Sequence, residues 1–249
     1  MMFQNKTFLA LIPARSGSKG LKDKNIKELN EKPLMSYTIE ACKNSGIFDK
    51  IMVSTDSNQY KMIAETWGAD VPFLRPASLS CDEAKSADVI LHTLNELKSQ
   101  GETYDYFMLL QPTSPLRNEL HIKESAELLL SRHGDSVVSI CPIDSHRQLT
   151  VSFTRSGSIT VPFPHKAQVR RQEEHTGYRI NGAIYLTSTN FFLKQGNFYD
   201  GTVFPYYMDS IHSIDIDDSS QFRIAELLLR YGGAWAYETR DDKTSALKG

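Results

Sequence analysis

Short apolar runs that alternate with helix-patterned segments constrain this chain more than any other feature. Residues 6–12 read as a buried strand ended by Pro13. Further buried strands are expected within KIMVSTD (50–56), YDYFMLLQPTSP (104–115) and DSVVSI (135–140). Between them the spacing predicts helices over 33–45, 57–67, 84–98 and 119–132. Pro33 suits a first helical position, and Gly46, Gly68, Gly101 and Gly134 follow the four segments as stops. Tyr60, Ile63, Ala64 and Trp67 share one face of the second helix. Strands alternating with helices of about 10–15 residues predict βαβ units and a mostly parallel sheet.

The pattern changes after Cys141. Residues 142–180 are polar, carry Pro142, Pro162 and Pro164, and hold the pair Arg170 and Arg171; short strands are expected in LTVSF and GSITV. This stretch reads as an insertion. The core resumes with NGAIYLT (181–187), HSIDID (212–217) and a helix over 219–231, with an edge strand expected around Trp235 and a frayed tail after it. The expected fold is therefore α/β, a Rossmann-like, mixed but mostly parallel sheet flanked by helices. Its core is formed by 1–141 and 181–249, interrupted by a small inserted segment at 142–180.

Composition excludes several functions. At 249 residues and 40% hydrophobic, the chain can bury the core of one such domain. A formal net charge of -2 argues against a nucleic-acid partner. Cys42, Cys81 and Cys141 are odd in number and far apart, which speaks against a disulfide framework or zinc site and for a reducing, cytoplasmic setting. FLALIPA is too short for a secretory segment, and no apolar run approaches the ~18 residues of a membrane span.

Ligands of open α/β sheets bind beyond the carboxyl ends of the strands. That rule gathers ARSGSKG, STDSN, QPTSPLR and DIDD onto one rim. The first loop carries Arg15, Lys19, Lys22 and Lys24 with Gly17, Ser18 and Gly20, yet fits neither G-x-x-x-x-G-K-[ST] nor G-x-G-x-x-G. It is either an anion cradle or a solvated turn. Alternation places Asp215 and Asp217 on one face of a strand, about 7 Å apart. They are either a pair for a hard divalent cation or strand-end carboxylates facing water, with Asp218 starting the next helix cap. Gln111 follows a buried strand and points its amide at the rim; the plainer alternative is a turn built from Pro112 and Pro115, with Arg117 on the surface. The histidines lack ligand spacing and the serines lack a nucleophile elbow. Cations, glycines, a carboxylate pair and an amide on one rim suit Mg²⁺-assisted phosphoryl or nucleotidyl transfer.

IPARSGSKGLKDKN, VSTDS, LRPASLSCDEAKSAD, LLQPTSPLR, YRINGAIY and DSIHSIDIDD occur in one order along residues 7–230. In this the chain resembles the acylneuraminate cytidylyltransferases, the CMP-sialic acid synthetases and their relatives for other nonulosonic acids such as legionaminic acid. The resemblance implies a Mg²⁺-dependent enzyme that transfers CMP from CTP to the anomeric hydroxyl of a nine-carbon 2-keto sugar acid, releasing pyrophosphate. It implies that Arg15 and Lys24 hold the triphosphate, with Ala14, Ser18, Lys19 and Asn25 beside them, and that Arg75 and Ser86 surround the cytosine. Asp215 and Asp217 fall on the Mg²⁺ carboxylates, and Asp217 also takes the hydroxyl proton. Gln111, Arg179, Asn181, Tyr185 and Phe198 fall on the sugar side. The 142–180 segment corresponds to a dimerisation segment, so Arg171 is expected to reach the sugar carboxylate of the neighbouring copy in a homodimer. The segment after the CP pair, DSHRQLT with Arg147, departs from the lysine that many sialic acid enzymes carry there and leaves the sugar acid open. A CMP-Kdo or pseudaminic-type synthetase, and a non-catalytic binding protein on the same fold, are the alternatives.

Overall fold

The computed structural model describes residues 3–17, 20–143, 152–153, 159–160 and 177–231. In chain order the elements are β1 (Phe8–Pro13), β2 (Glu28–Leu29), β3 (Lys32–Pro33), α1 (Leu34–Ser45), β4 (Lys50–Ser54), α2 (Asn58–Trp67), α3 (Ser86–Ser99), β5 (Tyr106–Leu109), α4 (Glu119–Arg132), β6 (Ser136–Pro142), β7 (Ser152–Phe153), β8 (Ile159–Thr160), β9 (Tyr178–Ser188), α5 (Thr189–Gln195), β10 (Val203–Tyr207) and α6 (Ser219–Tyr231).

The main sheet has the order β10-β6-β9-β5-β1-β4. Only β9 runs against its neighbours, so the sheet is mixed and mostly parallel. β1 lies inside it and is apolar along its length because both of its faces are covered. Phe8, Ala10 and Ile12 pack on one side with Met35 and Ile39 of α1, Ala64 of α2 and Ile122 of α4. Leu9 and Leu11 pack on the other with Ile90 and Leu94 of α3 and Phe192 of α5. A third cluster joins Leu29, Leu34 and Ile216 to Phe222 and Ala225 of α6.

Three expectations are corrected. Residues 212–217 are not a strand: they form an extended loop past the sheet, where Ile216 N–H donates to Thr113 O at 2.8 Å. The strand beside β6 is β10 instead, which sequence reading missed because Pro205 sits in its middle. Proline is tolerated there because β10 is an edge strand. Arg117, which the plain-turn alternative puts on the surface, is 1% exposed. Short strands occur where they are expected in the insertion, and they pair with each other, Ser152 opposite Thr160 and Phe153 opposite Ile159. Trp235 lies outside the described residues, and among the described residues no helix is long and apolar enough to cross a membrane.

One irregularity shapes the site. Val138 pairs with Tyr185 and Ile140 with Ile180, so Ser139 alone faces residues 181–184 of β9. Its hydroxyl donates to Asn181 Oδ1 at 2.5 Å and accepts from Ile184 N–H at 2.8 Å. Removing that hydroxyl leaves the buried Ile184 N–H unpaired and takes one of two donors from Asn181 Oδ1, which keeps Ala183 N–H at 3.1 Å. Ser139→Ala is expected to destabilise the fold by about 1–3 kcal/mol, read as a lower urea midpoint. An unchanged midpoint would show that the hydroxyl does not hold the excursion.

Candidate active site

The loops after β1 and β5 leave the carboxyl ends of parallel strands and, with residues between Arg75 and Val89 and the 215–217 segment, enclose a cleft of about 570 Å³; the loop after β4 lies behind it. Asp56 fixes the first loop by accepting from Ser16 N–H at 2.8 Å and Ser16 Oγ at 2.6 Å. Asn25, nearly buried, donates to Arg15 O at 3.1 Å. The loop closes on the opposite wall at Gly20, where an added Cβ would lie 2.5 Å from Asp217 O; only glycine permits that approach. Lys24 Nζ donates to Ile216 O at 2.5 Å and lies 3.4 Å from Asp217 Oδ1.

Arg15 extends across the cleft to Asp82, 2.7 Å away, and to Ser80 O. Both partners of that ion pair are partly exposed, so it is weak enough for a stronger anion to displace. Arg75 is 6% exposed and donates to Ser54 Oγ and Ser54 O beneath the cleft. Burial brings its pKa down to about 10, against the pull of Asp56, and leaves it cationic at neutral pH. Ser86 opens α3 on the cleft wall. Ala14 is buried beneath the loop with its N–H donated to Ser54 O. Lys22 is exposed; Ser18, Lys19 and Arg171 lie outside the described residues.

A second pocket of about 230 Å³ shares Ser86, Leu109 and Gln111 with the first and contains Tyr185, Phe198 and Tyr199. Burial, together with Tyr199 and Asp215, pushes the Tyr185 phenol up to about 12, so it remains a donor. Phe198 is largely buried against Phe107 and Phe192, and Tyr199 beside it is half exposed. Tyr199 was missed from sequence; the signal was its position next to Phe198 in a turn that Asn197 closes by accepting from Tyr199 N–H at 2.7 Å. Asn181 does not line either pocket. It is 1% exposed, and its amide is spent on Ser139, Ala183 and Ser213, which ties β9 to the 215–217 segment. Arg179 is exposed and close enough to act on Asp215.

Asp215 and Asp217 both line the cleft, with Ile216 buried between them. The alternation expected of a strand therefore survives in a loop. Asp215 Oδ1 is buried with no hydrogen-bond partner among the described residues, whereas Asp217 is 74% exposed. Burial first, and the charge of Asp217 second, raise Asp215 above the ordinary carboxylate range; Thr113, Lys24 and Arg179 oppose them. Among the described residues no three His, Cys, Asp or Glu side chains converge as a metal site. Two carboxylates suit Mg²⁺, which takes few protein ligands when phosphate and water supply the rest.

The sequence profile described as cytidylyltransferase matches residues 9–214. The chain belongs to the cytidylyltransferase family. Within it, the chain is 38% identical over 218 residues to the N-acylneuraminate cytidylyltransferase of Escherichia coli, covering 87% of this chain and 51% of that one. It is 34% identical over 222 residues to the CMP-N,N'-diacetyllegionaminic acid synthase of Legionella pneumophila, covering 89% of this chain and 95% of that one. The chain thus spans about half the length of the first relative and nearly all of the second. Its fold matches the structure of CMP:2-keto-3-deoxy-manno-octonic acid synthetase complexed with CTP, with a TM-score of 0.65 at 13% identity over 90% of this chain and 98% of that one.

The raised pKa of Asp215 fixes a sign. Its contribution to stability is fully present below the unfolded carboxylate pKa and is lost as pH rises through the higher folded value. At neutral pH the ionised group therefore burdens the fold. Asp215→Asn is expected to melt at or above the wild-type temperature without metal, by about 2–4 °C for each kcal/mol relieved. Mg²⁺ with nucleotide should then raise the wild-type melting temperature more than that of the variant; a variant melting well below wild type contradicts this.

Proposed function

We propose that the chain is a cytoplasmic, Mg²⁺-dependent cytidylyltransferase that transfers CMP from CTP to the anomeric hydroxyl of a nonulosonic acid and releases pyrophosphate. The observation that carries this reading is the joining of two unlike pockets at Gln111. The larger is lined by the cations Arg15, Lys24 and Arg75 and by the carboxylates Asp82, Asp215 and Asp217, a balance suited to a polyphosphate arriving with a divalent ion. The smaller is walled by aromatic rings with a phenol donor, as a sugar acid requires. The activities named for the E. coli and L. pneumophila relatives support the same reading.

The roles follow from placement. Arg15 exchanges Asp82 for the triphosphate, and Lys24 binds it from the opposite jaw, so that both meet the charge that builds on the departing pyrophosphate. Arg75, Ser86 and Asn25 shape the nucleoside side. Gln111, Tyr185, Arg179 and Phe198 face the acceptor, with Tyr199 at its mouth. Asp215 and Asp217 would hold Mg²⁺, which when bound neutralises phosphate charge and acidifies a nearby hydroxyl. The acceptor oxygen bonds to the α-phosphorus as the bond to the β-phosphate oxygen breaks, and the acceptor proton passes to Asp217, the exposed carboxylate of the pair. The 142–180 segment pairs two copies of the chain, bringing Arg171 of each to the acceptor carboxylate of the other. A purely binding protein has no need of an orphaned, destabilising carboxylate beside Asp217.

Pyrophosphate release from CTP and Mg²⁺ should occur with N-acetylneuraminate or legionaminate and fail with Kdo. No release with any nonulosonic acid would refute the reading, and release with Kdo alone would move it to the octulosonate enzymes. Asp217→Ala should abolish release while CTP binding by calorimetry largely survives; an active variant would remove Asp217 from the chemistry.

A further inference from the structure

Arg117 is among the largest fully buried side chains, and among the described residues no carboxylate lies within ion-pairing distance of it. Its ionisable neighbours are Cys42, whose thiol burial pushes up to about 12, and His121, which burial first and the nearby cations hold down to about 4; neither offers it a negative charge at neutral pH. A buried cation without a counter-ion is a poor way to stabilise a fold, since an apolar side chain of similar volume does as well or better. Its three hydrogen bonds show what it does instead. One guanidinium nitrogen, NH1, donates to both Gln111 O and Ala183 O at 3.2 Å, and NH2 donates to Thr38 Oγ1 of α1 at 2.6 Å.

Those two carbonyls stand at a telling register. The β5–β9 ladder ends with Leu109 opposite Tyr185. Continued by two residues, it would pair Gln111 with Ala183. That pair never forms, because β9 departs into the excursion that Ser139 holds. The guanidinium sits where the missing rung would be. Gly182, adjacent to Ala183, has φ +81 and presses on the Gln111 side chain, since an added Cβ would lie 2.9 Å from Gln111 Oε1 and 3.6 Å from Asp215 Oδ2.

We infer that Arg117 is a positioning residue that replaces a rung of the sheet, fixing Gln111 against Gly182 so that the seam between the two pockets has one geometry. It touches neither pocket and acts through Gln111. This rests on the proposed reading of the smaller pocket as the acceptor site.

The test compares wild type with Arg117→Met, Arg117→Lys and Thr38→Val. Arg117→Met should melt within a few degrees of wild type, keep its KM for CTP within about twofold and raise the KM for the sugar acid about tenfold or more. Arg117→Lys should not rescue it, because an ammonium lacks the planar fork. Hydrogen–deuterium exchange should quicken at residues 109–113 and 181–185 and stay unchanged in β1 and β4. If Arg117→Met does not fold, Thr38→Val carries the test, with a smaller rise in the same KM and in the same two stretches. A sugar-acid KM within about twofold of wild type, an equal rise for both substrates, or full rescue by lysine would overturn the inference. Absence of wild-type turnover would instead defeat the proposed function; the exchange pattern then decides the role of Arg117, and unchanged exchange at those stretches overturns it.

Discussion

The hydrogen bond from Lys24 Nζ to Ile216 O is the contact on which the cleft depends. The 215–217 segment belongs to no strand, so the sheet does not hold it. Each peptide group is tied to a different element. Ile216 N–H goes to the loop after β5, Ile216 O to Lys24 of the loop after β1, and Asp217 N–H to Gln221 of α6. Ile216 itself is buried with Phe222 and Leu34. Burying one apolar side chain is what turns the two flanking carboxylates outward, and Gly20 lets the opposite jaw close on their backbone.

Charge is arranged on the same plan. The cleft is not a basic pocket, because each cation already has an oxygen to hold it: Asp82 for Arg15, Ile216 O and Asp217 for Lys24, the Ser54 carbonyl for Arg75. On the proposed reading a ligand takes Arg15 from the exposed Asp82 and meets the remaining donors of Lys24, whose bond to Ile216 O stays in place, instead of filling a vacant positive field. Asp215 is the exception. Among the described residues its buried oxygen has no partner, and it is burdened by Asp217, which places the strongest demand for positive charge at one point of the wall. On the proposed reading, stability is given up where a cation is to bind.

Much of this was legible in the sequence. Helices at Glu119–Arg132 and Ser219–Tyr231 fall where apolar periodicity and capping residues put them, because each buries a single face and is capped locally. The lysine and arginine of the first loop, the carboxylate pair and Gln111 were found because short local patterns place them at strand ends. What failed was non-local. β10 was hidden by Pro205, since its edge position is a property of the whole sheet. The burial of Asn181 and Arg117 was not legible, because which way each polar side chain turns depends on residues distant in the chain, Ser139 and Ser213 for the first and Thr38 and Ala183 for the second. The strand expected at 212–217 had the right alternation and the wrong partners.

Buried polar groups thus carry as much of the site's geometry as the sheet does. Arg75 anchors the floor of the larger cleft, Arg117 the seam, and Asn181 with Ser213 the root of the carboxylate segment. The central claim is that these converge on a nucleotide–metal clamp between the loop after β1 and residues 215–217. Anomalous diffraction from crystals grown with CTP and Mn²⁺ tests it most directly. The account predicts a manganese peak bridging Asp215, Asp217 and the nucleotide phosphates, with Arg15 turned from Asp82 toward the phosphates. A nucleotide bound in the cleft with manganese elsewhere, or with Arg15 still paired to Asp82, would contradict it.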